Sequence, residues 1–196
     1  MATRCEWCTS DPLYVEYHDG EWGVPVHDDR VLFEMLVLEG AQAGLSWLTI
    51  LRKRENYRRA FDNFNIEKIA NYGENDILRL LNDQGIVRNK LKIKAAIRNA
   101  QGVVSILESD TSFSKFLWRY VDNEPVVNRR QSISEIPNMT KASTEMSKDL
   151  KKLNFNFVGP TICYAFMQAV GMVNDHLIDC FRYEEILSGV KEENLR

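Results

Sequence analysis

The sequence has no apolar run long enough to cross a bilayer, which excludes a transmembrane reading. Its first residues, Met1-Ala2-Thr3-Arg4-Cys5-Glu6-Trp7, contain no apolar h-region, so no secretory signal is expected and the cytosol is the expected compartment. Cysteine is scarce. In a reducing compartment the four present (Cys5, Cys8, Cys163, Cys180) are expected as thiols or metal ligands rather than disulfides. Glycine and proline are sparse too, at 10 and 5 in 196 residues, and neither a low-complexity tract nor an internal repeat is present. A basic surplus is also missing. With 25 Lys and Arg against 28 Asp and Glu the net charge is −3, which argues against a protein that coats nucleic acid through bulk charge.

What basic charge there is comes in two clusters. Arg52, Lys53, Arg54, Arg58 and Arg59 form one, broken by Glu55; Arg88, Lys90, Lys92, Lys94 and Arg98 form the other, with no acid among them. Either is compatible with a solvated helix face or a phosphate track.

Strand-like alternation is nearly absent, and helical spacing recurs from Asp28 onward, which predicts an all-α fold. Asp28 caps a first helix with Leu32, Met35 and Leu36 on one stripe up to Gly40. A second is expected from Ser46 toward Phe61, then two short ones near 66–71 and 75–83, the latter closed by Gly85 as a left-handed residue. Asn89 opens a long basic helix and Ser112 another. Residues 123–140 read as a connector, Ser143 as the cap of a further helix, and Pro160 as the first turn of a helix that stops at Gly171. The length suits one core or two small lobes, here 28–140 and 1–27 with 141–181.

Four features could carry chemistry. Cys5 and His18 lie near one end, and His176 and Cys180 form an H-x-x-x-C near the other. If that stretch is helical both side chains face one way, and two Cys with two His would make a closed tetrahedral zinc site. A buried thiol with a satisfied imidazole fits the same spacing, and Cys5-Glu6-Trp7-Cys8 offers a competing C-x-x-C. Glu39 ends the apolar stripe of Leu32, Met35 and Leu36, where a carboxylate is costly unless it is paired or used. Trp7, Tyr14, Tyr17, Trp22 and Trp47 are polar-tipped aromatics that suit a core or the stacking of a planar base. Phe157-Val158-Gly159-Pro160-Thr161 is a glycine-bearing turn opening onto a helix N-terminus, which can present free N–H groups to a phosphate.

Taken together these residues resemble a known signature. Asp11-Pro12-Leu13-Tyr14, Tyr17-His18-Asp19, Glu21-Trp22-Gly23, Leu38-Glu39-Gly40, Gln42-Ala43-Gly44-Leu45-Ser46-Trp47, Phe157-Val158-Gly159 and Asn174-Asp175-His176 are similar to the bacterial 3-methyladenine DNA glycosylase I family. The similarity covers roughly residues 3–181; residues 182–196 match nothing and are assigned no role.

The resemblance implies a helix-hairpin-helix fold that flips a damaged nucleotide out of double-stranded DNA; a monomer with no membrane partner is expected. It implies one structural zinc on Cys5, His18, His176 and Cys180, with Cys8 outside the site. It implies a base pocket of Tyr17, Glu39 and Trp47 supported by Trp7, Tyr14 and Trp22, with Glu39 the residue expected to act on the base. The DNA contacts it implies are Phe157, Val158, Gly159 and Thr161 in the hairpin, and Gly44 and Leu45 in a loop that fills the gap in the base stack. The wider superfamily's catalytic Asp falls on Asn174, and the hairpin offers no Lys for a Schiff base, so a monofunctional hydrolase is expected. The alternative is a zinc-stapled helical module that binds nucleic acid without catalysis.

Overall fold

The computed structural model describes residues 3–193. The chain runs through α1 (Pro12–Gly20), α2 (Asp29–Gln42), α3 (Trp47–Leu51), α4 (Arg54–Ala60), α5 (Ile66–Ala70), α6 (Glu74–Asn82), α7 (Lys90–Leu107) and α8 (Phe113–Trp118). It continues through strand β1 (Val126–Val127), α9 (Lys141–Lys152), α10 (Pro160–Ala169), strand β2 (Val173–Asn174) and α11 (Phe181–Glu193). The two strands form a short parallel ladder that pairs Val126 with Val173. Among the described residues no helix is long and apolar enough to cross a membrane.

Helix α2 is the axis of the fold. The Asp28 side chain accepts from Val31 N–H at 2.8 Å and starts it as the sequence predicts. The apolar stripe proves too narrow a description, because residues 32–41 are buried on every side, with α7, α8 and α10 packed around them. A helix so enclosed must be apolar all round, and its two carboxyls, Glu34 and Glu39, are therefore exceptions with separate explanations. Glu34 accepts from Arg54 Nε and Arg58 Nε, both at 2.9 Å, and Arg54 also donates to Glu21 at 2.6 Å. That network ties α4 and the end of α1 to α2. Glu39 has no such partner.

Several local expectations are corrected. The segment from Ser46 to Phe61 is two helices, α3 and α4, separated at Arg52-Lys53, where Arg52 turns to Asp11 and Lys53 to the carbonyls of Gln84 and Gly85. Gly85 is not left-handed; α6 ends at Asn82 with Asp83 as its C-cap, and the lack of a side chain at Gly85 matters because a Cβ would stand 2.9 Å from Asn56. Helix α9 is capped by Thr140, with Ser143 at its third position completing a reciprocal capping box. The connector 123–140 holds β1 and a short 3-10 turn at Ile133–Glu135. Helix α11 was not expected, yet Tyr183 and Ile186 are buried and the Tyr183 carbonyl accepts from Asn174.

Helices α9 and α10 pack against each other across the turn 153–159, and α10 rests on α2. Gly102 of α7 lets this turn approach. A Cβ there would sit 2.2 Å from the Phe155 ring, so a larger residue would push the turn off α7. One continuous core joins residues of both expected lobes.

Candidate active site and metal-ligand cluster

Cys5, His18, His176 and Cys180 converge, all buried, with their ligand atoms within 4.8 Å of one another. His18 comes from α1, and Cys5 from the segment before it. His176 and Cys180 do not share a helix as expected; they sit in the loop between β2 and α11, closed by Cys180 N–H donating to Leu177 O at 2.8 Å. Cys5 Sγ and Cys180 Sγ each lie 3.5 Å from His176 Nδ1, and Cys180 Sγ lies 3.5 Å from His18 Nε2.

The far ring nitrogens are also engaged. His176 Nε2 donates to the Trp22 carbonyl at 2.9 Å, and His18 Nδ1 meets Asp19 at 2.8 Å. Asp19 is in turn gripped by Arg4, which holds its carboxyl down at about 2. Such outer partners fix ring orientation and leave the inner nitrogens as donors to an ion. The Cys180 thiol is pushed toward thiolate by the hydrogen bond from Cys5, which correspondingly holds its own proton. Cys8 stands apart, its thiol turned to the carbonyls of Thr9 and Tyr14. The C-x-x-C alternative is thereby set aside.

Against this cluster lies a cavity of about 400 Å³. Its aromatic wall packs edge-on or tilted against the cluster's histidines. The Trp22 ring is 4.6 Å from His176, Trp7 is 5.2 Å from His18 and 4.9 Å from Trp22, and Tyr14 lies beyond Trp7 at 5.4 Å. Opposite, Tyr17 and Trp47 meet at 5.4 Å. All five aromatics singled out in the sequence line this one cavity, together with Glu39.

Glu39 is 4% exposed and has no hydrogen-bond or ion-pair partner among the described residues; burial alone pushes its carboxyl up to about 8. Burial therefore favours its protonated form at neutral pH. Trp47 Nε1 is likewise buried without an acceptor.

Sequence reasoning missed most of a second wall. Tyr164, Ala165 and Gln168 of α10 line the cavity together with Thr161, which was expected as a DNA contact of the hairpin, and their three- and four-residue spacing was the available signal. Tyr164 and Gln168 are held by a fully buried carboxylate, Asp175, which accepts from them at 2.5 and 2.8 Å. Ile133 and Ile136, from the connector that shows no period, close the rim. Asn174 is buried outside the cavity lining, where its side chain accepts from His176 N–H.

The remaining named residues fall on two surface elements beside the cavity. Gly44 (φ +78°) turns the loop after α2 and leaves Leu45 42% exposed at its tip. Gly159 begins α10 without any side-chain cap, and Phe157 holds a left-handed φ of +55°. Val158 is buried, its carbonyl accepting from Ser147 at 2.6 Å, so its side chain faces the core and only its backbone can reach outward. A wider groove of about 790 Å³ runs beside this turn, with Arg98 and Lys151 on its walls.

With this geometry in place, comparison with known proteins is decisive. The family model described as methyladenine glycosylase matches residues 7–183. The chain belongs to the methyladenine glycosylase family. It is 51% identical over 180 residues to DNA-3-methyladenine glycosylase 1 of Escherichia coli (strain K12), covering 92% of this chain and 96% of that one. The DNA-3-methyladenine glycosylase of Haemophilus influenzae is 44% identical over 92% of this chain and 97% of its own. A crystal structure of 3-methyladenine DNA glycosylase I superposes with a TM-score of 0.90 at 51% identity, covering 91% and 98% of the two chains. The Staphylococcus aureus enzyme, solved to explain 3-methyladenine recognition, superposes at 0.88 with 42% identity, covering 91% and 95%.

Proposed function

We propose that this methyladenine glycosylase family member hydrolyses the N-glycosidic bond of 3-methyladenine in alkylated double-stranded DNA, drawing the base out of the stack into the aromatic cavity. The observation that carries this reading is Glu39: a buried, unpartnered carboxyl facing an aromatic-walled space is costly unless a ligand completes it.

An adenine methylated at N3 is cationic in the nucleotide, so it leaves without being protonated. Its positive charge is the partner Glu39 lacks. As the cationic base enters, the carboxyl releases its proton to solvent water and, now ionised, accepts from the exocyclic amine. Trp47 and Tyr17 offer ring faces to an electron-poor purine. Adenine presents an amine at that edge where guanine presents a carbonyl, so Glu39 also discriminates between methylated adenine and methylated guanine. The cavity lining contains no lysine, and Asn174 is committed to holding the His176 loop. Both facts favour a monofunctional hydrolase that stabilises the sugar cation and admits a water.

The four-residue Cys/His cluster is proposed to hold one structural zinc. A tetrahedral ion with bonds of about 2.3 Å to sulfur and about 2.0 Å to nitrogen sets S···N separations near ~3.5 Å, which is the spacing of the three pairs measured above. Four protein ligands leave no open position, so the ion would supply cross-linking and no chemistry at the scissile bond.

The duplex is proposed to lie across α9, the turn and α10 as a helix-hairpin-helix element, with Phe157, Gly159 and Thr161 offering backbone groups to a phosphate. Leu45 enters the stack where the base has left it. The lobes 28–140 and 1–27 with 141–181 then frame the cavity from opposite sides. The working state is proposed as a monomer in the cytoplasm, where the thiols stay reduced.

The test is chromatography of bases released from methylated duplex DNA. Free 3-methyladenine is expected, with no strand nicking and no covalent adduct under borohydride. Release of no base, or a trapped protein–DNA adduct, would count against the proposal.

A further inference from the structure

Helix α2 ends without a basic residue in its last turn, yet its final carbonyls are not left bare. Lys92, reaching across from the first turn of α7, places Nζ 2.8 Å from Ala41 O and 2.7 Å from Ala43 O. These two carbonyls bracket the helix end, one turn from Glu39 and immediately before Gly44 and Leu45. A cation there meets both the unpaired C=O groups and the negative end of the helix dipole.

Three observations bear on what Lys92 does. The Lys92 stem shares a small cavity between α2 and α7 with Val37, Ala41 and Ala96, so it is laid down between the helices rather than waving in solvent. Among the described residues no carboxylate pairs with it, although Glu and Asp outnumber Lys and Arg in the chain. The segment it grips, residues 43–46, is exposed throughout and ends on the Ser46 cap of α3, which carries Trp47. Without that grip the loop has only short local turns, such as Leu45 N–H to Gln42 O, to hold its shape.

We infer that Lys92 is a positioning residue for base extrusion: by capping α2 through Ala41 O and Ala43 O it holds the Gly44–Leu45 loop in the form that fills the vacated stack. This rests on the proposed wedge role of Leu45. A loop already in its working form does not have to be ordered when DNA arrives, and that ordering cost otherwise falls on the extrusion step. Lys92 touches neither the base nor the cavity wall, so its effect should be confined to steps that need the wedge.

The experiment compares Lys92→Met, Lys92→Arg, Leu45→Ala and the Lys92→Met/Leu45→Ala double variant in single-turnover release of 3-methyladenine. Two duplexes are used, identical except that the lesion faces thymine in one and an abasic site in the other, where no pairing resists extrusion. Loss of two charge-assisted hydrogen bonds should slow Lys92→Met roughly tenfold on the paired duplex. The loss should shrink to about twofold or less on the abasic one, because every phosphate contact is retained there while the need for the wedge is reduced. Lys92→Arg, whose fork can still reach two carbonyls, should recover much of the rate, and the double variant should be no slower than the slower single variant. Binding of free 3-methyladenine, read by tryptophan fluorescence, should be unchanged in all four proteins.

Equal losses on both duplexes, or losses that multiply in the double variant with a shallower salt dependence, would make Lys92 a phosphate contact and overturn the inference. So would a Lys92→Met protein as fast as the parent while Leu45→Ala is slow. A Leu45→Ala protein as fast as the parent would remove the wedge reading itself and this inference with it, leaving the glycosylase proposal to stand on base release.

Discussion

In the Cys5/His18/His176/Cys180 cluster every sulfur and ring nitrogen has a partner, and even Asp19 behind His18 is held by Arg4. In the cavity on the other side of Trp7 and Trp22, Glu39 and Trp47 Nε1 have none among the described residues. Each buried polar group left unpaired costs about 1–3 kcal/mol, so the fold carries this deficit at the cavity while avoiding it in the cluster. Under the proposed reading the contrast separates roles: the cluster braces the wall, whereas the cavity keeps polar groups for what enters it. The two are mechanically joined, since the rings that line one are packed on the histidines of the other.

The largest expected effects belong to the cluster and are effects on folding. Changing His176 or Cys180 to Ala breaks the buried Cys/His set and would forfeit the stabilisation that the proposed zinc supplies. A loss of at least several kcal/mol is expected, read as a fall of more than ~10 °C in Tm or as insoluble protein. Cys8→Ser should melt with the parent and keep its metal. A stable His176→Ala protein that had lost only turnover would break the comparison by putting chemistry in the cluster.

Glu39→Gln should do the reverse, lowering activity while raising stability. Burial lifts this carboxyl from its usual 4.5 to about 8, so the folded chain keeps a proton that the unfolded chain releases. The protonated group's contribution to stability is fully present below about 4.5 and is lost as pH rises toward about 8. Glutamine has no proton to lose. The Tm advantage of Glu39→Gln over the parent should therefore grow between pH 5 and pH 8 in the absence of DNA. Release of 3-methyladenine should slow roughly tenfold or more, and the gap to 3-methylguanine should narrow, because an acceptor edge has gained a donor. Equal slowing of both bases would reassign Glu39 to the water or the sugar.

Trp47→Ala sharpens the same comparison within the cavity. It removes a ring face that any methylated purine uses, so both bases should weaken together, by roughly fivefold or more in free-base affinity. A loss confined to one base would make Trp47 an edge reader instead.

The smallest expected effect separates the two basic clusters. Arg54 and Arg58 are spent on Glu34 and Arg52 on Asp11, whereas among the described residues Arg88, Lys90, Lys94 and Arg98 form no ion pair. Arg98→Ala, on the wall of the wider groove, should reduce the salt slope of DNA binding by about one counterion. Arg52→Ala should leave that slope unchanged. The opposite result would place the duplex on the other face.

Much of the local structure was legible because local rules decide it. Asp28, Ser46, Asn89 and Ser112 cap the helices they were expected to cap, since an N-cap is a contact between residues two or three apart. The failures share a cause as well. The H-x-x-x-C looked helical because spacing of four is the helical repeat, but a tight turn brings the same atoms together. Glu39 looked like the end of a stripe because periodicity counts neighbours along one helix, while its burial comes from the helices packed around α2.

The sequence by itself determined the all-helical class, the starts of several helices, and the residue types that a metal and a flat cationic base require; the break at Arg52-Lys53 and helix α11 were not among them. These are short-range or compositional properties, and a reader of residues can weigh them without coordinates. Tertiary structure decided which of those residues meet: that Cys5 and not Cys8 joins the histidines, that Tyr164 and Gln168 join the aromatic wall, and that Lys92 closes the end of a helix fifty residues earlier. Each is a contact between segments far apart in the chain. Its geometry is set by how whole helices pack, and no local pattern carries that information.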